Sequence, residues 1–186
     1  MEEKELIFDW NTIDYEISRD SSQHPHGLWF DDETLRDGLQ SPSAVNPTIS
    51  QKIELVDYME KLGIQKVDLG LPGAGPHHIE HIDSMLMHMG EMGYSLRPGC
   101  AVRTLVADIE PLVDLQSKHE RQIQASAFLG TSPIRQYAEG WTMDRIMSTA
   151  ESAVSFAVGN DIPVMFVTED TTRTVSYTHL RAHETD

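Results

Sequence analysis

The chain has 186 residues, with 30 Asp plus Glu against 14 Lys plus Arg, and carries a formal net charge of −16. A hydrophobic fraction of 39% with 12 Gly and 9 Pro excludes a disordered or fibrous chain and fits one domain with its own core. The acidic excess repels a phosphate backbone, so no nucleic-acid partner is expected. The single cysteine, Cys100, excludes an intrachain disulfide and a thiolate cluster, and reads as a strand-packing side chain rather than a nucleophile. No apolar run approaches a membrane span and the chain opens MEEKE, so no membrane segment, no signal peptide and a cytoplasmic location are expected.

Residues 1–27 read as an irregular arm, with a short apolar run at Leu6 to Trp10. The run Leu28 to Phe30 reads as a short buried strand that stops in the charged loop DDETLRDG. A helix follows: Thr48 and Gln51 have capping-box spacing, Ile53, Val56, Met59 and Leu62 recur at helical intervals, and Gly63 ends it. Residues 64–73 read as a second strand, and 79–93 as a helix with Ile82, Met85, Leu86 and Met89 on one face. Residues 94–103 give an irregular third strand, 105–118 a helical stretch, 122–130 a fourth strand, 141–159 a long helix and 163–170 a fifth strand. Five alternations of strand and helix argue for parallel βα units. A doubly wound sheet and a (β/α)8 barrel begin alike, and periodicity does not choose between them.

The periodic pattern stops after the fifth strand. The string SYTHLRAHET (176–185) resembles translated sequencing adapter, so residues 175–186 are read as non-native, and His179 and His183 are set aside as ligands despite their spacing.

Four polar clusters follow strands, and in a parallel α/β fold the carboxyl ends of the strands share one side. They comprise Asp32, Glu33, Arg36, Asp37 and Gln40; Pro72, Gly73, Gly75 and His77; Thr131 and Ser132; and Glu169, Asp170 and Arg173. In the first, a strand-end carboxylate suits a hard divalent ion and a neighbouring guanidinium suits a carboxylate or a developing enolate oxygen. Adjacent in sequence, Arg36 and Asp37 are expected to point different ways rather than neutralise each other. The physics describes an oxygen-rich site for an anionic small molecule. Phosphate-loop, dinucleotide and nucleophile-elbow glycine motifs are absent from the sequence.

Asp32 to Gln40, DETLRDGLQ, resembles the DTTLRDGEQ signature of the isopropylmalate synthase and homocitrate synthase family, metal-dependent TIM barrels related to hydroxymethylglutaryl-CoA lyase. VDLGLPGAGP (67–76), AFLGTSPI (127–134) and VTEDTTRT (167–174) match in family order, so the resemblance covers residues 28–174. It implies an incomplete (β/α)8 TIM barrel with about five βα units over 28–174. It also implies a 2-oxo acid and acetyl-CoA as substrates, a divalent Mg, Mn or Zn ion, and a homodimeric parent. By resemblance, Asp37 is the metal-binding aspartate and Arg36 steadies the carbonyl or enolate oxygen. Glu169 is the strand-five glutamate that lines the substrate pocket, and Gln40 and Thr131 are substrate-binding.

The sequence departs from the signature at Leu39, where synthases carry Glu and the lyase branch reads RDGLQ, and at Glu33. Thr34, Leu35, Ser41 and Pro42 are synthase-like. The leading reading is therefore a Claisen-type acyltransferase; the alternatives are a carbon–carbon lyase of the same superfamily and a non-catalytic barrel homologue. The family's His-x-His metal pair comes from a seventh strand, so the 186-residue chain alone is expected to be inactive. His24–His26 has the letters of that pair but precedes the first strand. His77 and His81 read as a solvated face or loop, and Met85, Met87, Met89 and Met92 as soft packing. Glu169 is expected on the axis side of its strand, with Asp170 and Arg173 bracing the loop from outside.

Overall fold

A computed structural model describes residues 29–170. Five strands lie in one parallel sheet in the order β1-β2-β3-β4-β5. They are β1 (Asp31–Asp32), β2 (Lys66–Asp68), β3 (Arg97–Arg103), β4 (Gln124–Gly130) and β5 (Val164–Glu169). Between them run α1 (Ile49–Leu62), α2 (Pro76–Glu91), α3 (Val106–His119), the short α4 (Pro133–Glu139) and α5 (Met143–Gly159). A doubly wound sheet reverses its strand order at a switch point. Here every strand neighbours its sequence predecessor, so the sheet is a half-barrel, the incomplete (β/α)8 architecture.

Local chemistry sets the helix ends. Thr48 and Gln51 form a full capping box at the start of α1, and Gly63 closes the helix in the left-handed region at φ 75°. Val56 and Met59 of α1, Ile82, Met85, Leu86 and Met89 of α2, and Ile109, Leu112 and Leu115 of α3 bury one continuous core against the sheet. The middle of β3 is buried on both faces: helices α2 and α3 pack in the core beside it, and Ala101 borders the concave side of the sheet. Cys100 is fully buried in this core, and burial pushes its thiol pKa well up, so it packs and does not react. No described helix is long and apolar enough to cross a membrane.

Several sequence expectations need correction. The first strand is Asp31–Asp32 rather than Leu28 to Phe30; Trp29 and Phe30 are exposed, with Trp29 stacked under the Arg97 guanidinium at 4.3 Å. Leu62, at the last turn of α1, has passed the edge of the core and is 78% exposed. Met87 and Met92 point to solvent, so only Met85 and Met89 of the α2 methionines pack inside. Strand β2 is three residues long, because Gly70, at φ 140°, leaves strand geometry before Pro72–Ala74 forms a 3-10 helix. Helix α4 was not expected: seven residues are too few to show a period, although its caps, Ser132 before Pro133 and Gly140 at φ 63°, were legible. The arm (1–27), the tail (175–186), His24–His26 and Arg173 lie outside the described residues.

Candidate active site

The loop after β1 folds back on itself. Thr34 N–H donates to Asp32 Oδ1 at 2.9 Å, Gly38 N–H donates to the Glu33 carbonyl at 3.1 Å, and Gly38–Gln40 forms a 3-10 turn. This turn brings Arg36 over the ends of β1 and β2. Its guanidinium meets three carboxylates: Nη2 donates to Glu33 Oε2, Nη1 to Asp37 Oδ1 at 3.0 Å, and Nε faces Asp68 Oδ2 at 3.5 Å. Arg36 and Asp37 therefore do pair, contrary to expectation, because the turn replaces the extended backbone that would have separated them.

Asp68, at the end of β2, is 3% exposed. Burial raises its pKa to about 6; the Gly70 N–H at 2.9 Å, the Arg36 charge and the Ala101 N–H at 3.3 Å all pull it the other way. Sequence reasoning passed over this residue. The available signal was a single carboxylate inside the apolar run VDLGL, where a solvated face would not place one. Asp68 does not line the cavity in front of Arg36; it stands behind the guanidinium and orients it.

A cavity of about 340 Å³ joins the sequence-predicted residues. Glu33, Arg36, Asp37 and Gln40 line it from the first loop, Ser126 and Phe128 from β4, and Met165, Val167 and Glu169 from β5. The alternation along β5 puts Met165, Val167 and Glu169 on this concave side. Glu169 also approaches Arg135 Nη2 of α4 at 3.8 Å. Asp170 turns away at φ 57° and accepts a hydrogen bond from Ser132 Oγ at 2.9 Å. Thr131 does not join the group: it is buried in the loop after β4, its carbonyl accepting from Gln136 Nε2 at 3.0 Å, and it is not part of the cavity wall.

A divalent ion needs several convergent donors. Asp37 offers one carboxylate, 64% exposed and engaged by Arg36, and no three His, Cys, Asp or Glu side chains among the described residues are arranged to hold a metal. The described donor set does not by itself make a metal site. The chemistry it does provide is a fixed guanidinium facing a partly apolar cavity with carboxylates at its rim, suited to an anionic carbonyl compound.

Fold and site together describe a barrel-type protein with an acid-and-arginine centre at the carboxyl ends of its strands. The HMGL-like family model matches residues 28–185, and the chain belongs to this family. It is 34% identical over 146 residues to a 2-isopropylmalate synthase of Streptococcus gallolyticus, covering 78% of this chain and 27% of that protein. It is 31% identical over 156 residues to a 2-isopropylmalate synthase of Aquifex aeolicus, covering 83% and 29%. Homocitrate synthase AksA of Methanosarcina acetivorans is 26% identical over 144 residues, covering 77% and 33%. The chain thus spans about a third or less of the length of these curated relatives.

Proposed function

We propose that the whole protein is a 2-isopropylmalate synthase-like acyltransferase that condenses acetyl-CoA with a 2-oxo acid. The observation that carries this reading is the Arg36 guanidinium, fixed by Glu33, Asp37 and Asp68 and presented to a cavity that Glu169 and Gln40 also line. In a Claisen-type step negative charge develops on the carbonyl oxygen of the attacked acid or on the acetyl enolate. A preoriented guanidinium stabilises that charge without reorganising. Glu169 bounds the substrate from β5, as a charge that excludes misplaced carboxylates, and Gln40 from the first loop, as a hydrogen-bonding amide. A divalent ion at Asp37 needs further ligands from outside residues 29–170. In keeping with that need, and with the free outer edges of β1 and β5 in the described sheet, the 186-residue chain alone is read as inactive.

The test is to incubate the whole protein with acetyl-CoA and a panel of 2-oxo acids, following thiol release and identifying the product by mass. Release that depends on a branched 2-oxo acid, with a 2-hydroxy diacid product, supports the reading; no release with any member of the panel overturns it. The sequence Arg36-Asp37-Gly38-Leu39-Gln40 favours a second reading, a carbon–carbon lyase acting on a hydroxyacyl-CoA thioester. Cleavage of such a thioester without any condensation would select it.

A further inference from the structure

We propose that a second cavity, at the carboxyl ends of β3 and β4 and walled by α4 and α5, is a binding site for the phosphate-bearing end of a nucleotide. It measures about 460 Å³, within the range of small-molecule sites. Arg103 from the end of β3, Arg135 of α4 and Arg145 of α5 all line it, together with the rings of Phe128 and Trp141. In a chain of net charge −16, three guanidiniums on one cavity run against the average surface.

Each guanidinium is held by a different device. Arg103 is clamped through Nε and Nη2 to Asp108, each at 2.7 Å, and Asp108 is itself buried. Arg135 lies across Gly130 at the end of β4, where an added Cβ would come within 2.6 Å of Arg135 Cγ, so the missing side chain makes room for its stem. Arg145 lies over the Trp141 ring, 5.6 Å from its centre. Donors are left over. Glu139 and Glu169 answer Arg135 only at 3.9 and 3.8 Å, beyond hydrogen-bond reach, and Arg145 enters no ion pair among the described residues.

This arrangement defines the ligand's chemistry. Planar forks held in place suit phosphate oxygens and repel a cation. A bare inorganic anion would engage the guanidiniums and leave Phe128 and Trp141 unused; a ring carried on the phosphate engages both. Phe128 and Glu169 also line the Arg36 cavity, so the two cavities adjoin there. A ligand with its phosphates among the three arginines can therefore send a flexible arm past Phe128 toward Arg36. A coenzyme A thioester has that build, and this source of the nucleotide rests on the acyltransferase reading. A free nucleotide is the other source, and the nucleotide site itself does not need that reading.

The test is calorimetric titration of the whole protein with coenzyme A and with ADP at constant ionic strength. Saturable binding is expected. Arg135→Met and Arg145→Met keep the stems and remove the charge at two exposed positions, and each should weaken binding about tenfold. Gly130→Ala crowds Arg135 without changing any charge and should weaken binding severalfold. Arg97→Met, at the opposite end of β3, removes the same charge and should leave affinity unchanged. Much tighter binding of coenzyme A than of ADP identifies the thioester as the source; equal affinity identifies a free nucleotide. No saturable binding of either at millimolar concentration, undiminished binding in the Arg135→Met/Arg145→Met double variant, or equal weakening by Arg97→Met overturns the proposal. Condensation whose KM for acetyl-CoA is unchanged in the double variant overturns it and leaves the acyltransferase reading intact. Nucleotide binding through these arginines in a protein that condenses nothing does the reverse.

Discussion

Nε of Arg36 and Oδ2 of Asp68 face each other at 3.5 Å, and that Nε is buried with no hydrogen-bond partner among the described residues. The pair attracts through charge yet stops short of a hydrogen bond, while the other two guanidinium nitrogens are anchored to Glu33 and Asp37. Catalytic contacts in ligand-free proteins are often loose in this way and tighten on binding.

Removing the guanidinium should therefore cost turnover more than fold. In the whole protein, Arg36→Ala is expected to lower turnover on the order of 10²-fold or more, since stabilisation of the developing oxyanion is lost. Arg36→Lys should recover little, because an ammonium cannot satisfy three carboxylates from one point. Asp37→Ala should instead respond to added divalent metal. Steady-state kinetics across a metal titration separates the two; equal metal rescue of both variants would show the roles are misassigned.

Asp68 predicts an unusual pH dependence. Its folded pKa is raised, so its contribution to stability is fully present below the ordinary value of 3.8 and is lost as pH rises through about 6. That span corresponds to about 3 kcal/mol at most. Asp68→Asn cannot titrate, so the stability difference between variant and wild type should shift in the variant's favour between these two pH values. Urea denaturation across that window checks it; a flat difference curve contradicts the assigned shift.

The outer helical layer predicts the opposite slope. Asp57 of α1 accepts from Tyr94 Oη at 2.8 Å and meets His88 Nε2 of α2 at 2.6 Å. Burial works against its charge, but these two hydrogen bonds outweigh it and hold the pKa below the usual carboxylate range. Stability from this clasp is present above the unfolded pKa and is lost as pH falls through the folded one. Asp57→Ala should cost about 1–2 kcal/mol at neutral pH and less in acid, measured by chemical denaturation.

Gly73 predicts a steric conflict. A Cβ there would overlap the carboxylate of Asp108, which is itself buried and held by the Arg103 side chain through Nε and Nη2, each at 2.7 Å. Gly73→Ala should destabilise by about 1–3 kcal/mol. Adding Asp108→Ala should relieve much of that penalty, so a double-mutant cycle with non-zero coupling is the expected result.

The βα alternation was legible because β4, β5 and helices α1, α2 and α5 carry long periodic stretches, α1 and α5 with clear threonine caps at their amino ends. The barrel-like order was not, since strand order depends on pairing between residues some 30 positions apart, such as Val67 with Pro98, which no local pattern encodes. Motif spacing brought Arg36, Asp37, Gln40 and Glu169 to one end of the sheet, and the cavity joins them. It could not show that Thr131 is buried within the loop after β4, or that Asp68 supports Arg36, because both facts depend on which way a side chain turns after packing. Trp29 and Phe30 misled for a simpler reason: apolar letters beside a strand suggest burial, but both stay more than half exposed in the described chain, Trp29 covered only in part by the Arg97 guanidinium.

Strand order and helix clasps together give the half-barrel a nearest-neighbour energetics. Each strand pairs only with its sequence neighbours, and each clasp spans one step: Asp57 with His88, Asp83 with Lys118 and His119. Such an assembly behaves like a row of coupled blocks, in which damage at one junction spreads chiefly to the blocks on either side. Hydrogen exchange should reflect this as a graded profile, with amides of β3 slowest and opening spreading inward from β1 and β5.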